Sequence, residues 1–271
     1  MKTIRKATLA VLLAGLSVSA CQSVHTTQAG VVGVDRTQRM AVSAQALEQS
    51  ANKQYSELMA QAKEKGKLNP DPQAYARVKA IADRLIAQTP AFRKDATTWQ
   101  WEVNVLDSPE VNAWCMPGGK IAVYTGLIDK LKITDDELAA VMGHEIAHAL
   151  REHSRERASE QAIAGIGISV VAAVAGIGQI GQKGMEYAYQ GLLGLPNSRQ
   201  HETEADRIGV ELAARAGYDP RAAITLWQKM GKVGGGEPPK FMSTHPSRSE
   251  RVKDLTNYSA KVMPLYQQSA K

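Results

Sequence analysis

The distribution of apolar and polar residues predicts an amphipathic helix near the middle of the chain. Thr134 and Glu137 are spaced as a capping box, in which each side chain accepts a hydrogen bond from the other residue's backbone N–H. Beyond them, apolar residues recur every three or four positions, which is the period of a helix with one buried face. These residues are Leu138, Val141, Met142, Ile146, Ala149 and Leu150. The pattern predicts one helix from Thr134 towards His153.

Similar patterns elsewhere predict further helices and one small sheet. Alternation of apolar and polar residues from Trp99 to Leu106 is typical of a half-buried strand, and Pro117-Gly118-Gly119 is a turn sequence between two apolar runs. The fold class is therefore predicted to be α+β and mainly helical, with a small β-sheet beside the central helix. The other predicted elements are helices at 40–65, 72–88 and 198–217, hairpin strands at 111–116 and 120–124, and a final helix after Ser247.

Length and composition are those of an ordinary globular protein. The 271 residues suffice for one domain with a substantial core, which we place at residues 40–271. The formal net charge is +6, but Lys2, Arg5 and Lys6 lie in a segment expected to be removed, which leaves 30 basic residues against 27 acidic ones. This balance does not suggest a nucleic-acid partner, and no basic stripe with interleaved aromatic residues is present.

Residues 1–20 have the layout of an export signal, with a basic end, an apolar stretch and small residues. The sequence Val18-Ser19-Ala20-Cys21 resembles the lipobox of bacterial lipoproteins, which implies a lipidated Cys21. Gln22, in place of an aspartate at the next position, resembles the lipoproteins passed on to the outer membrane, which implies a location there, facing the periplasm. Residues 21–39 then predict a flexible tether. The alternative is ordinary secretory cleavage. Cys115 is expected to be a small buried apolar residue, although without lipidation a disulfide with Cys21 becomes possible.

The stretch from Ala162 to Gly178 carries no charge and is rich in glycine, alanine and β-branched residues. A membrane-spanning helix is one interpretation, but such helices usually need about 20 apolar residues, and this stretch is shorter and interrupted by glycines. We favour a buried or lid-forming helical hairpin, whose glycines would allow movement over a site.

The central helix contains His144-Glu145-Ile146-Ala147-His148. Residues four apart lie on the same helical face, so both imidazoles can point at one metal ion, and Glu145 can reach a water on that ion. Two ligands and a base on one turn are typical of a zinc hydrolase. Because the motif is short, the alternative is a chance match on a surface helix with two solvated imidazoles.

A third ligand is predicted on the helix that begins near Ser198. Glu202 and Asp206 share a face with its apolar residues, and an unpaired carboxylate is costly in that position. A zinc ion would relieve this cost for Glu202, and an imidazole N–H from a ligand histidine would do so for Asp206. By the same helical geometry, Glu204 is expected to be solvated, and His201 lies one position away from the buried face.

His245 lies in Ser243-Thr244-His245-Pro246-Ser247, after a glycine-rich and proline-rich stretch. One interpretation is that this loop only caps and packs the final helix. The other is that His245 reaches the zinc, where it either stabilises the oxyanion or occupies the open position and holds the enzyme latent.

Together, the motif from His144 to His148, the pair Glu202 and Asp206, and the segment around His245 resemble the HtpX and CAAX-prenyl-protease type of gluzincin metallopeptidase. The resemblance covers roughly residues 70 to 257. It implies a zincin-like domain with one zinc ion. His144, His148 and Glu202 would be its ligands, with Glu145 as the general base and Asp206 supporting a ligand. The lipobox further resembles that of bacterial periplasmic lipoprotein metalloproteases.

Two classes of function are compatible with these observations. The first is an envelope endopeptidase that cleaves misfolded or damaged proteins, so that its partners are protein or peptide substrates and, through its lipid, the outer membrane. The second is a non-catalytic chaperone or assembly factor that uses the same groove. A general base at Glu145 favours the enzyme. An exposed edge of the sheet could accept an extended peptide by strand addition in either case.

Overall fold

The computed structural model describes residues 22–163, 197–233, 239–245 and 250–269. The signal segment 1–20, the lipidation site Cys21 and all but the first two residues of the stretch from Ala162 to Gly178 lie outside them. Five strands and nine α-helices are described. The strands are β1 (Gln22–Val24), β2 (Gln38–Met40), β3 (Glu102–Leu106), β4 (Ala113–Met116) and β5 (Lys120–Tyr124). The helices are α1 (Ala44–Glu64), α2 (Pro72–Ile86), α3 (Thr125–Leu131), α4 (Asp135–Leu150), α5 (His153–Ile163), α6 (Arg199–Arg215), α7 (Ala222–Met230), α8 (Lys240–Thr244) and α9 (Arg251–Ser269).

The predicted central helix is α4, and it begins as the capping box requires. The Thr134 hydroxyl accepts from the Glu137 N–H, and the Glu137 carboxylate accepts from the Thr134 N–H. Every residue from Glu137 to Leu150 is buried, because α4 lies between α6 on one side and β4, α2 and α7 on others. The predicted fold class, mainly helical with a small sheet beside this helix, is confirmed.

Two glycines allow α4 and α6 to touch backbone to backbone. A Cβ atom on Gly143 would lie 2.8 Å from the carbonyl oxygen of Gly209, and a Cβ on Gly209 would lie 2.8 Å from the backbone nitrogen of His144. These separations are below those that any side chain accepts, so the crossing requires glycine on both helices. The close crossing brings the first turns of α6 against the histidine-bearing turn of α4.

The small sheet covers another side of α4. Its strand order is β3-β5-β4, with β3 parallel to β5 and β4 antiparallel to β5. The predicted hairpin is therefore confirmed, and its turn places Gly118 and Gly119 at positive φ. Residues of α1 pack on the sheet through a second apolar cluster that includes Leu47, Tyr55 and Trp114. Strand β4 lies at the edge of the sheet and contacts α4.

The segment before α1 differs from the predicted flexible tether. Strands β1 and β2 pair antiparallel, and Val32 and Val34 belong to the main apolar core. The Gln38 side chain is fully buried, with hydrogen bonds to the carbonyl of Arg151 and to Glu156. The tether prediction was wrong because a polar side chain was taken as a sign of solvation, whereas here it is buried against matching polar partners.

Within the described ranges, every helix is too short or too polar to span a bilayer. Ala162 and Ile163 form the end of α5, and the rest of that apolar stretch is not described. Cys115 is buried in β4 as a free thiol, and burial raises its pKa well above the usual value.

Replacing Gly209 by alanine should weaken the crossing of α4 and α6. The added methyl meets backbone atoms that cannot move aside, so the free energy of unfolding should fall by about 1–3 kcal/mol. Gly231 is the matched control, because its Cβ would meet nothing closer than 3.5 Å and its φ is −66°. Alanine there should be neutral or stabilising by up to about 1 kcal/mol.

Urea denaturation of both variants in excess chelator measures this difference without a contribution from metal. Equal stabilities of the two variants would contradict a glycine-dependent helix crossing.

Candidate metal centre

Four buried side chains converge at the crossing of α4 and α6. His144 and His148 come from adjacent turns of α4, Glu202 from the first turn of α6, and His245 from the residue after α8. One donor atom from each lies within 4.8 Å of the other three. The structure therefore brings together the three predicted ligands and the residue in the downstream loop.

The separations between these donors match those around a tetrahedral zinc ion. Donors about 2.0–2.1 Å from a zinc ion are about 3.3–3.4 Å from one another. His144 Nε2 lies 3.1 Å from His148 Nε2 and 3.2 Å from His245 Nδ1. Glu202 Oε1 lies 3.3 Å from His148 Nε2 and 2.9 Å from His245 Nδ1. Imidazole and carboxylate are also the donor types that zinc accepts, so the residues fit this ion.

The buried charges around these donors call for a cation. Glu145, Glu202 and Asp206 are all buried, and the guanidinium of Arg251 lies 3.1 Å from Glu202 and 2.6 Å from Asp206. The buried guanidinium of Arg157 also interacts electrostatically with Glu202, so that three carboxylates face two guanidinium groups when all are ionised. Glu145 Oε1 also makes no hydrogen bond to the described residues. A divalent cation would supply the missing charge, and burying these groups without one is costly.

The pKa values of His148 and Glu202 favour metal binding. Burial lowers the pKa of His148 well below its usual value, so the imidazole is neutral with a lone pair free for a metal. Burial alone would raise the pKa of Glu202, but His245 and His148 outweigh this effect and hold the carboxyl well below its usual range. Glu202 is therefore ionised.

Asp206 lies beside the first histidine, as its helical position predicts. Its Oδ1 is 3.0 Å from Nδ1 of His144, on the side of the ring away from the other donors. An N–H at Nδ1 leaves Nε2 as the lone-pair atom that faces the donor cluster, so this carboxylate selects the ligating tautomer.

Arg251, on α9, was missed by the sequence analysis. It is almost fully buried, donates to Asp206 Oδ1 over 2.6 Å and lies 3.1 Å from Glu202 Oε2. Its guanidinium carbon stacks 3.3 Å from the ring centroid of Trp227 on α7. The sequence offered little sign of this role. Arg251 follows Arg248 and Glu250, and such a charged stretch is typical of an exposed helix start.

His245 is held in place by its surroundings. Its ring stacks on that of Phe241, with centroids 4.3 Å apart and planes 23° apart, and the backbone N–H of His245 donates to the Phe241 carbonyl. Its Nε2 lies 3.4 Å from Glu145 Oε1. Burial alone would lower the pKa of His245, but the carboxylates of Glu202 and Glu145 outweigh it and raise that pKa. The loop thus places His245 among the donors and does not only cap the final helix.

The predicted exposure of Glu204 and the position of His201 off the buried face were both wrong. Both side chains are buried, since α6 is covered by α4, α9 and the segment before α1. His201 faces Glu156, and Glu204 faces Arg151. The solvated side of α6 is narrower than a helical wheel suggests, since in its first turns only Arg199 and Gln200 are exposed.

A second group of buried donors lies nearby, formed by His153, Glu156 and His201. The carboxylates of Glu156 and Glu204 in this region are paired with the guanidinium groups of Arg36 and Arg151. Two negative charges therefore meet two positive charges. This group has no deficit that a metal ion would fill, in contrast to the donors around Glu202.

The model of peptidase family M48 matches residues 72–259, which is more than half of the chain. The chain belongs to peptidase family M48. Membership confirms the predicted zinc metallopeptidase and its zinc cofactor. It supports the resemblance at the level of the gluzincin family, while the finer likeness to the HtpX and CAAX-prenyl-protease type is not established.

Several curated M48 relatives match this chain. Mitochondrial metalloendopeptidase OMA1 of Arabidopsis thaliana is 40% identical over 62% of this chain and 34% of its own length. The protein of the same name from Schizosaccharomyces pombe is 41% identical over 59% of this chain and 47% of its own length. The beta-barrel assembly-enhancing protease of Escherichia coli is 27% identical over 61% and 36%. The chain thus spans only about a third to a half of these relatives.

These relatives correct the predicted location. The relatives at 40% and 41% identity are named as mitochondrial proteins, and the bacterial relative is more distant. The prediction of an outer-membrane lipoprotein facing the periplasm is contradicted by this finding. It rested on the export-signal pattern and on the residues from Val18 to Gln22, which lie outside the matched range.

Replacing Glu202 by glutamine should release the metal. The variant keeps the shape of the side chain but removes its charge, and zinc affinity should fall by more than about 100-fold, because even supporting partners of ligands are worth about 10- to 100-fold. Glu211 on the same helix is the matched control, since it is fully buried but bonds Arg215 and the Val32 N–H.

Zinc content after dialysis and competition with a chromophoric chelator measure the affinity. A Glu211→Gln variant should bind one zinc as the unmodified protein does. Equal affinities of the Glu202 and Glu211 variants would rule out Glu202 as a ligand.

Proposed function

We propose that this protein is a zinc-dependent endopeptidase, with His144, His148 and Glu202 as the metal ligands and Glu145 as the general base. The observation that carries the proposal is the convergence of four donor side chains, in which each donor lies 2.9–3.3 Å from two of the others. The carboxylate of Glu145, next to His144 in sequence, has an oxygen without a hydrogen bond. The M48 match and relatives named as metalloendopeptidases support the same activity.

When bound, zinc would polarise the scissile carbonyl and acidify a water molecule. Glu145 is placed to accept the proton of that water, since it follows His144 on α4 and its Oε1 has no hydrogen-bond donor. The same carboxylic acid can then protonate the leaving amine nitrogen, so that one residue carries the proton from nucleophile to leaving group.

The environment of Glu145 suits this role. Burial raises the pKa of its carboxyl above the usual value, which makes the carboxylate a stronger base towards water. The carboxylate is 4% exposed, and a proton accepted there is not readily lost to bulk solvent.

We further propose that His245 holds the site in a latent state. Its Nδ1 provides a fourth donor, and its Nε2 lies 3.4 Å from Glu145. One imidazole thus faces both the position of the nucleophile and the base. Stabilisation of the oxyanion by His245 would require the fourth position on the metal to be left for a water molecule. Because His245 Nδ1 itself lies at that position, the arrangement supports latency instead.

The substrate class that we propose is unfolded or misfolded protein, as in quality control. Strand β4 is at the edge of its sheet and packs against α4, the helix that carries His144 and His148, and all four of its residues are buried in this structure. An extended peptide that added to this edge would gain backbone hydrogen bonds without sequence-specific pockets. Folded proteins rarely offer an extended segment, so this mode of binding selects unfolded chains. The binding-module alternative uses the same edge without cleavage.

Glu145→Gln should abolish cleavage while retaining zinc. Glutamine cannot accept the proton, so the rate of casein cleavage should fall by about 100- to 10,000-fold, the usual value of a general base. Zinc content should match that of the unmodified protein.

Cleavage of fluorescently labelled casein, with and without chelator, measures the activity, and metal analysis of the same samples measures the zinc content. A Glu145→Gln variant that keeps full activity would favour the binding-module alternative.

His245→Ala should raise the basal rate of casein cleavage, since it vacates the fourth donor position and frees Glu145. Ser243→Ala is the matched control, because this exposed residue is in the same segment and its hydroxyl donates to the Lys240 carbonyl, away from the donor cluster. The control should cleave at the rate of the unmodified protein.

An unchanged rate in the His245 variant would remove the latency proposal. A fall of tenfold or more at full zinc content would instead support the oxyanion role.

A further inference from the structure

The second zinc-binding histidine has a partner on the side away from the donors. Nδ1 of His148 lies 2.8 Å from Nδ1 of His153, the first residue of α5. If Nε2 of His148 uses its lone pair on the metal, Nδ1 carries the hydrogen, and it donates to Nδ1 of His153. His153 must then carry its own hydrogen at Nε2.

That hydrogen also has an acceptor. Nε2 of His153 lies 3.2 Å from Oε2 of Glu204 on α6. The His153 ring is 1% exposed and stacks on His201, with centroids 4.4 Å apart and planes 17° apart, so it cannot easily rotate. The hydrogen bonds therefore run in one direction, from His148 through His153 to a carboxylate.

Glu204 is itself held by two guanidinium groups. Arg151 donates to Oε2 through Nε and a terminal nitrogen over 2.9 and 2.8 Å, and Arg36 donates to Oε1 through Nε over 2.5 Å. Arg36 also makes two bonds to Glu156. It precedes β2 and lies before the range of residues 72–259 that matches family M48.

The two zinc-binding histidines are thus supported differently. His144 has a carboxylate beside Nδ1, that of Asp206. For His148, the imidazole of His153 lies between Nδ1 and the carboxylate of Glu204. A ligand histidine usually donates its second N–H to a carboxylate, carbonyl or water, which fixes its tautomer and orientation.

We propose that His153 and Glu204 are positioning residues for the zinc ligand His148, and that Arg36 makes the N-terminal segment part of this support. The inference rests on the proposed function, in which His148 binds zinc. It assigns a purpose to three charged or polar residues that the chemistry above does not use.

The first test compares zinc affinities measured by chelator competition. His153→Phe keeps the ring and its stack on His201 but removes the acceptor, and affinity should fall by about 10- to 100-fold. His153→Asn places an amide oxygen near the position of Nδ1 and should recover affinity to within a few-fold of the unmodified protein. His201→Phe removes a buried imidazole of the same stack that does not contact His148, and should leave affinity unchanged.

The outcomes separate the two proposals. If the unmodified protein does not bind zinc, the proposed function fails. If it binds zinc and His153→Phe binds equally well, the positioning role fails and the proposed function stands. Equal losses in the His153 and His201 variants, or no recovery with asparagine, would show a packing effect and overturn the inference.

Two further variants test the rest of the chain of contacts. Should His153→Phe not fold, Glu204→Gln takes its place, because it preserves shape while removing the charge and should weaken zinc binding by about tenfold. Arg36→Met should weaken it less. In the double variant of Arg36 and Glu204, the loss should be smaller than the product of the two single losses, since both act through one path. A loss equal to that product would exclude Arg36 from the support of His148.

Discussion

The close crossing of α4 and α6 is the constraint on which the rest of the structure depends. Donor atoms on two different helices can approach to about 3 Å only if the helices themselves are in contact, and Gly143 and Gly209 remove the side chains that would hold them apart. Every other contributor to the site docks on this pair. Arg251 reaches it from α9, and His153 reaches it from the start of α5. The metal site is therefore a property of the helix crossing more than of any one segment.

Charge balance then distinguishes the two buried polar groups that flank the crossing. On the side of Glu202, the three carboxylates outnumber the guanidinium groups of Arg251 and Arg157, whereas around Glu204 the two kinds of charge are equal in number. Both groups contain histidines at distances suited to a metal, so geometry alone does not separate them. In a medium of low dielectric constant, a group with excess negative charge attracts a cation, whereas a group without net charge does not. This difference in charge explains why the group around Glu202 suits a metal ion, whereas the group around Glu204 suits the positioning of a ligand side chain.

Much of the fold and the donor set could be predicted from sequence, because both depend on local spacing. The capping box, the histidines four residues apart and the placement of Glu202 on an apolar face all follow from helical periodicity. Glu204, Arg36 and Arg251 could not be found this way. Each is a charged residue whose burial depends on a partner distant in the chain, and the ordinary expectation for a charged residue is exposure. The location was predicted from a short motif near Cys21, which carries no information from the catalytic domain.

Trp227 has a consequence beyond its contact with Arg251. Its ring centroid is 6.2 Å from that of His144, and it also packs against Phe241, one turn before His245. An indole so near a metal position transfers its excitation to a coloured or paramagnetic ion such as cobalt(II), and its emission also responds to displacement of a neighbouring aromatic ring. The protein thus contains its own optical reporter, through which occupancy of the centre and movement of the His245 segment can be followed without an attached dye.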